Sequence, residues 1–158
     1  MAKFLIGKDV FREPGDLYLV TVNTIGVMGA GIAKDFANAH PELYQRYKHD
    51  CKLKIITVGH PVIYQGEDGK NYMMFPTKET WKRPSEYHYI AAGLDWIIEN
   101  IGDEEGMIDP KWRIIVPPLG CGCGGLDIDI VSEMIDEASK QIPNEVVVIY
   151  PPQFQYRK

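Results

Sequence analysis

Apolar and polar positions alternate along this 158-residue chain in two rhythms. Short runs of β-branched and aromatic residues recur between longer stretches whose apolar positions return every three or four residues, the pattern of strands alternating with amphipathic helices. About six strands are predicted. The first covers residues 3–6, and the second, Leu17-Tyr18-Leu19-Val20-Thr21-Val22-Asn23, is apolar enough to be buried on both faces. A helix opening near Gly29-Ala30-Gly31 carries Ile32, Ala33, Phe36 and Ala37 at helical spacing until His40-Pro41 breaks it. Residues 42–51 form a second helix with Leu43, Tyr44 and Tyr47 on one side. Residues 61–64 and 72–75 read as a hairpin around the turn Gly66-Glu67-Asp68-Gly69. A long helix over 84–101 takes Ser85 as its cap and Ile90, Ala91, Leu94, Ile97 and Ile98 as its apolar stripe. After an acidic, turn-rich surface loop at 102–110 come a buried strand at 113–117, a helix from Asp127 or Asp129 through Gln141, and a last strand at 145–150. The fold class is α/β, a mixed sheet of about six strands with helices on both faces.

Length and composition add limits. A single domain over residues 1–158 is expected, because that length suits one core and 45% of the residues are hydrophobic. The longest apolar runs, such as 114–119 and 146–150, fall far short of the roughly 20 residues that a membrane-spanning helix needs. The start, Met1-Ala2-Lys3-Phe4-Leu5-Ile6-Gly7-Lys8-Asp9, turns charged after a brief apolar run and holds no secretory h-region, so a cytoplasmic location is expected. Three cysteines, with Cys121 and Cys123 too close for an ordinary disulfide framework, read as reduced thiols. A net charge of −5 argues against an extended nucleic-acid surface. Locally, Lys78, Lys82 and Arg83 with Trp81 among them either receive a phosphate or base at a pocket mouth or form a solvated basic loop.

Two glycine-rich segments each follow a predicted buried strand and precede a predicted helix. They are Asn23-Thr24-Ile25-Gly26-Val27-Met28-Gly29-Ala30-Gly31 and Pro117-Pro118-Leu119-Gly120-Cys121-Gly122-Cys123-Gly124-Gly125-Leu126-Asp127. Glycine lets the backbone approach a ligand, and the amides and dipole at a helix start favour an anion. Either segment alone reads more readily as a structural turn. Two of them at the carboxyl edge of one sheet suggest a diphosphate held between loops. A dinucleotide fingerprint is absent, since Gly29-x-Gly31 is followed by Lys34 where the third glycine belongs. Zinc is not expected either, because Cys121 and Cys123 with His60 or His88 lack paired C-x₂-C spacing. No cofactor is implied.

These strings, together with Phe75-Pro76-Thr77-Lys78 and the following Trp81, resemble the macrodomain family from about Asp9 to Tyr150. Within it they are most similar to the branch that contains DarG-like enzymes and the terminal ADP-ribose protein glycohydrolase. The resemblance implies a three-layer sandwich that binds ADP-ribose. It implies that Asp9 accepts from the adenine amino group, with a turn cap as the alternative, and that Asn23 lies near the distal ribose. Gly29, Ala30 and Gly31 then touch diphosphate and ribose, while Gly120, Cys121, Gly122, Cys123 and Gly124 form the second phosphate loop. Tyr150 either packs on the adenine or belongs to the core. Lys78 is the implied catalytic residue, attacking the anomeric carbon of the distal ribose or clamping a phosphate. An amine is nucleophilic only when deprotonated, and burial or neighbouring cations such as Lys82 and Arg83 favour that form.

The chain departs from the family at Gly124, where the terminal protein glycohydrolase has an aspartate; Asp127 follows three residues later, as a helix cap or a substrate-orienting group. That leans the expected activity towards DarG-like hydrolysis of an ADP-ribosyl linkage. The substrate is ADP-ribose joined to a nucleic-acid base or a protein side chain. The alternatives are a phosphatase for ADP-ribose 1''-phosphate and a noncatalytic ADP-ribose reader. A full-length DarG antitoxin would carry a further region that is not present in this sequence.

Overall fold

The computed structural model describes residues 1–105 and 107–152. Its elements run β1 (Lys3–Ile6), β2 (Leu17–Asn23), α1 (Gly31–Ala39), α2 (Pro41–Lys52), β3 (Val62–Gln65), β4 (Asn71–Lys78), α3 (Tyr87–Glu99), β5 (Ile114–Val116), α4 (Ile128–Ser139) and β6 (Val146–Tyr150). The strands form one sheet in the order β1-β6-β5-β2-β4-β3. Every pair is parallel except the β3–β4 hairpin.

Side-chain parity in β2 shows why the sheet has helices on both faces. Leu17 and Leu19 enter a core with Ile90, Leu94 and Ile97 of α3 and Val131 and Ile135 of α4. Tyr18, Val20 and Val22 enter the opposite core with Phe36 of α1 and Leu43 and Tyr47 of α2. A strand whose alternate positions are both apolar has two faces to bury, and a helical layer on each side is what buries them. The macrodomain-type three-layer sandwich with six strands is therefore present.

Several boundaries differ from the sequence reading. β4 continues through Pro76 to Lys78, beyond the predicted 72–75. The β3 pairing ends at Val62↔Met74, so past that point β4 has no neighbour on its outer side and the missing Pro76 N–H costs no bond there. A register shift between Val22 and Asn23 then brings Asn23 opposite Lys78. α3 starts three residues later than predicted, with Glu86 rather than Ser85 in the cap position and no side-chain cap bond. Ser85 is buried instead. α4 has Asp127 as its cap and ends at Ser139, short of Gln141. The acidic loop contains residue 106, which lies outside the described residues. No helix among the described residues is long and apolar enough to cross a membrane.

Candidate functional site

The parallel strands β1, β6, β5, β2 and β4 all point their carboxyl ends to one edge of the sheet, and a cleft of about 1020 Å³ opens there. Crevices outside the carboxyl ends of strands are where open α/β sheets hold ligands, and this one is at the upper end of the usual size for a small-molecule site.

The first glycine loop is organised from below by Asn23, which is 8% exposed. Its Oδ1 accepts from the amides of Ile25 at 3.2 Å and Val27 at 3.3 Å, and its Nδ2 donates to the Val27 carbonyl at 2.9 Å. Tyr47 Oη donates into the same knot, lying 2.9 Å from Asn23 Oδ1 and 2.7 Å from the Asn23 carbonyl. Burial, the largest influence, pushes the Tyr47 phenol far above its ordinary range, so it stays a donor. The loop then delivers Gly29, Ala30 and Gly31 to the cleft wall, where Ala30 caps α1 with no side-chain bond. Among the described residues, no protein acceptor takes the amides of Gly29, Ala30 or Gly31. Free amides at a helix N-terminus are the kind of group that favours an anion.

The second loop has two sides. Gly120, Gly122 and Cys123 line the cleft. Cys121 and Gly124 belong to the same loop but face away from the cleft. Cys121 is 5% exposed and packs into the α3/α4 core, its Sγ donating to the Leu119 carbonyl at 3.6 Å. Burial and then the nearby Asp127 push its thiol up to about 12, which leaves it an apolar filler rather than a nucleophile. Gly124 is buried at a close crossing, where a Cβ would sit 2.2 Å from the Gly120 carbonyl oxygen and 2.5 Å from Ser85 Oγ. The Ser85 amide donates to the Gly124 carbonyl at 3.0 Å, fastening the loop to the start of α3. Gly124→Ala is expected to cost about 1–3 kcal/mol by overpacking against backbone that cannot yield. For a chain of this size that is a melting temperature lower by roughly 2–12 °C, and a melt within about 1 °C of the parent contradicts it.

Lys78 stands at the end of β4, half-buried, on the cleft wall. Its Nζ donates to the Cys123 carbonyl at 2.9 Å, so the lysine spans from β4 to the second loop. Trp81 lines the same end and is 59% exposed. Asp9 lies at the opposite end, in the turn after β1. Its Oδ1 accepts from the Phe11 amide at 3.0 Å, so it caps a short 3-10 turn while bordering the cleft.

Tyr150 does not reach the cleft. It is fully buried, its ring stacked on Phe4 at 5.8 Å between centroids and its hydroxyl bonded to Ser132. In β6, parity sends Val146, Val148 and Tyr150 into the α3/α4 core, and it is Ile149 that borders the cleft. Ile149, Phe11 and Pro151 line the cleft near Asp9. Asp127 accepts from the amides of Asp129 at 2.8 Å and Ile130 at 3.3 Å, the helix-cap role. Sequence reasoning missed Asp35, a carboxylate on the cleft wall one helical turn beyond Gly31, and the i,i+4 spacing was the signal for it. Among the described residues no cluster of His, Cys, Asp and Glu has the makings of a metal site.

The Macro domain family matches residues 20–135. Over 147 residues the chain is 40% identical to the DNA ADP-ribosyl glycohydrolase of Mycobacterium tuberculosis, covering 91% of this chain and 40% of that protein. The chain thus spans about two fifths of the length of the curated relatives it matches. Among solved structures, the macrodomain of Mycobacterium tuberculosis DarG superposes with a TM-score of 0.79 at 34% identity, covering 96% of this chain and 99% of that one. Thermosipho africanus DarTG in complex with ADP-ribose superposes with a TM-score of 0.87 at 30% identity, covering 99% of this chain and 44% of that one. The six-stranded mixed sheet, the two glycine loops and these matches agree, and the chain belongs to the Macro domain family.

Proposed function

We propose that residues 1–158 act as one macrodomain that binds ADP-ribose along the cleft and hydrolyses its linkage to a nucleic-acid base. Asp9 follows β1 and Lys78 ends β4, which are four strand spacings apart, roughly 19 Å across the sheet. That span accepts an extended dinucleotide-like ligand with the adenine at Asp9, the diphosphate over the two glycine loops and the distal ribose at Lys78. The observation that carries the reading is the Lys78 Nζ held on the Cys123 carbonyl at the far end of the cleft.

In the reaction, the bond from the anomeric carbon to the base breaks, water supplies the oxygen that replaces it, and a proton goes to the departing base. Lys78 acts on the anomeric carbon, as nucleophile or as cationic clamp. The packed crossing of Gly124 with Gly120 and Ser85 has no room for an acidic side chain, which supports the nucleic-acid branch over protein-linked substrates. The glycohydrolase name of the relatives supports the same choice.

The test is to incubate the protein in parallel with an oligonucleotide ADP-ribosylated on thymidine, a protein ADP-ribosylated on glutamate, and ADP-ribose 1''-phosphate. Release of ADP-ribose from the oligonucleotide is expected. Phosphate release from the third substrate alone identifies a phosphatase, and binding of ADP-ribose without turnover of any substrate identifies a reader.

A further inference from the structure

The chain carries 17 Lys and Arg against 22 Asp and Glu, yet residues 78–83 hold three cations and a single acid. That acid, Glu79, is engaged, its Oε1 accepting from Tyr89 Oη at 2.7 Å. The Glu79 carbonyl also accepts from Thr24 Oγ1 at 3.0 Å, which ties the segment to the first glycine loop. A tight turn follows, with the Lys82 amide on Thr80 Oγ1 at 3.0 Å. This anchored turn presents Trp81 at the cleft mouth beside Lys78, 59% exposed, with Lys82 Nζ 5.4 Å from the centre of its indole. Arg83 is exposed next to it.

An indole this exposed leaves a large apolar face in water, and two exposed cations flank it. Nothing in the pocket requires this arrangement for a diphosphate, which the loop amides already serve. Resting on the hydrolase reading, we propose that Trp81, Lys82 and Arg83 receive the single-stranded acceptor strand. Trp81 stacks on a base adjoining the modified nucleotide, and Lys82 and Arg83 hold its phosphates. Stacking platforms beside cations are how single strands are bound without sequence readout, and they would deliver the modified base to Lys78.

The test measures binding rather than turnover, so it stands apart from the hydrolase reading. Fluorescence anisotropy would follow a labelled, unmodified oligothymidine of about eight nucleotides, within the usual site size for such surfaces. The parent protein is expected to bind it, and Trp81→Ala to weaken binding roughly tenfold or more. Trp81→Phe should lose less, because a smaller ring still stacks. Lys82→Ala with Arg83→Ala should flatten the dependence of log K on log salt by about 1.4, two phosphate contacts on a single strand. Affinity for free ADP-ribose should be unchanged in the Lys82→Ala, Arg83→Ala variant, whose side chains do not line the cleft, and melting temperature confirms folding of each variant. Absence of oligonucleotide binding by the parent, equal binding by Trp81→Ala, or a parallel fall in ADP-ribose affinity in the Lys82→Ala, Arg83→Ala variant would each overturn the proposal.

Discussion

Replacing Lys78 with alanine is expected to lower the rate of ADP-ribose release from a modified oligonucleotide by at least about a hundredfold while leaving free ADP-ribose affinity within about threefold. The reasoning is positional. Among the described residues the Lys78 side chain makes one hydrogen bond, to the Cys123 carbonyl, and the unpaired amides of Gly29, Ala30 and Gly31 belong to the other glycine loop. On the proposed function, loss of the amine removes the group that acts at the anomeric carbon and leaves the loop amides that would hold the diphosphate in place. Lys78→Arg divides the two roles. A guanidinium keeps the positive charge and does not deprotonate in proteins, so it restores a clamp but not a nucleophile. Rates recovered to within tenfold of the parent by arginine assign a clamp, and rates as low as alanine assign a nucleophile. Parent-like hydrolysis by Lys78→Ala would remove Lys78 from the chemistry altogether.

How much of this was legible beforehand depends on whether a residue's neighbours are local. The two-sided burial of β2 was readable because both alternating sets, Leu17/Leu19 and Tyr18/Val20/Val22, are apolar. The same property hid the orientation of Tyr150. In a strand such as β6, with no polar face, nothing in the sequence says which parity faces the cleft, and Tyr150 proved to share the face of Val148. The second loop was found by its glycines, but the split between Cys123 at the cleft and Cys121 in the core is set by packing against α3 and α4. Ser85 looked like a cap because it precedes an apolar helix. It is instead drawn under the Gly120–Gly124 crossing, a contact between segments 35 or more residues apart that no local pattern encodes. β4 runs past the predicted 72–75 through Pro76, which the early end of β3 makes tolerable. That extension matters to function, since it is what sets Lys78 opposite Asn23.

Asn23→Ala is expected to cost roughly 2–4 kcal/mol and to weaken ADP-ribose binding at least tenfold. The side chain satisfies the amides of Ile25 and Val27 and the carbonyl of Val27, and it shares the Tyr47 hydroxyl. Removing it leaves several polar groups without partners at a site only 8% exposed, each worth about 1–3 kcal/mol, with cleft water recovering part of the loss. The corresponding fall in melting temperature is on the order of 10 °C. Affinity falls with it because the Gly29–Gly31 amides are placed by the loop that Asn23 ties. Tyr47→Phe removes one donor from the same knot and should show both effects at smaller size. The role implied by family resemblance, contact with the distal ribose, makes a different forecast: slower turnover with melting temperature and free ADP-ribose affinity unchanged. Thermal melts and calorimetric titration of Asn23→Ala therefore separate a residue that builds the phosphate loop from one that only touches the substrate. Four hydrogen-bonding partners beneath the loop favour the builder.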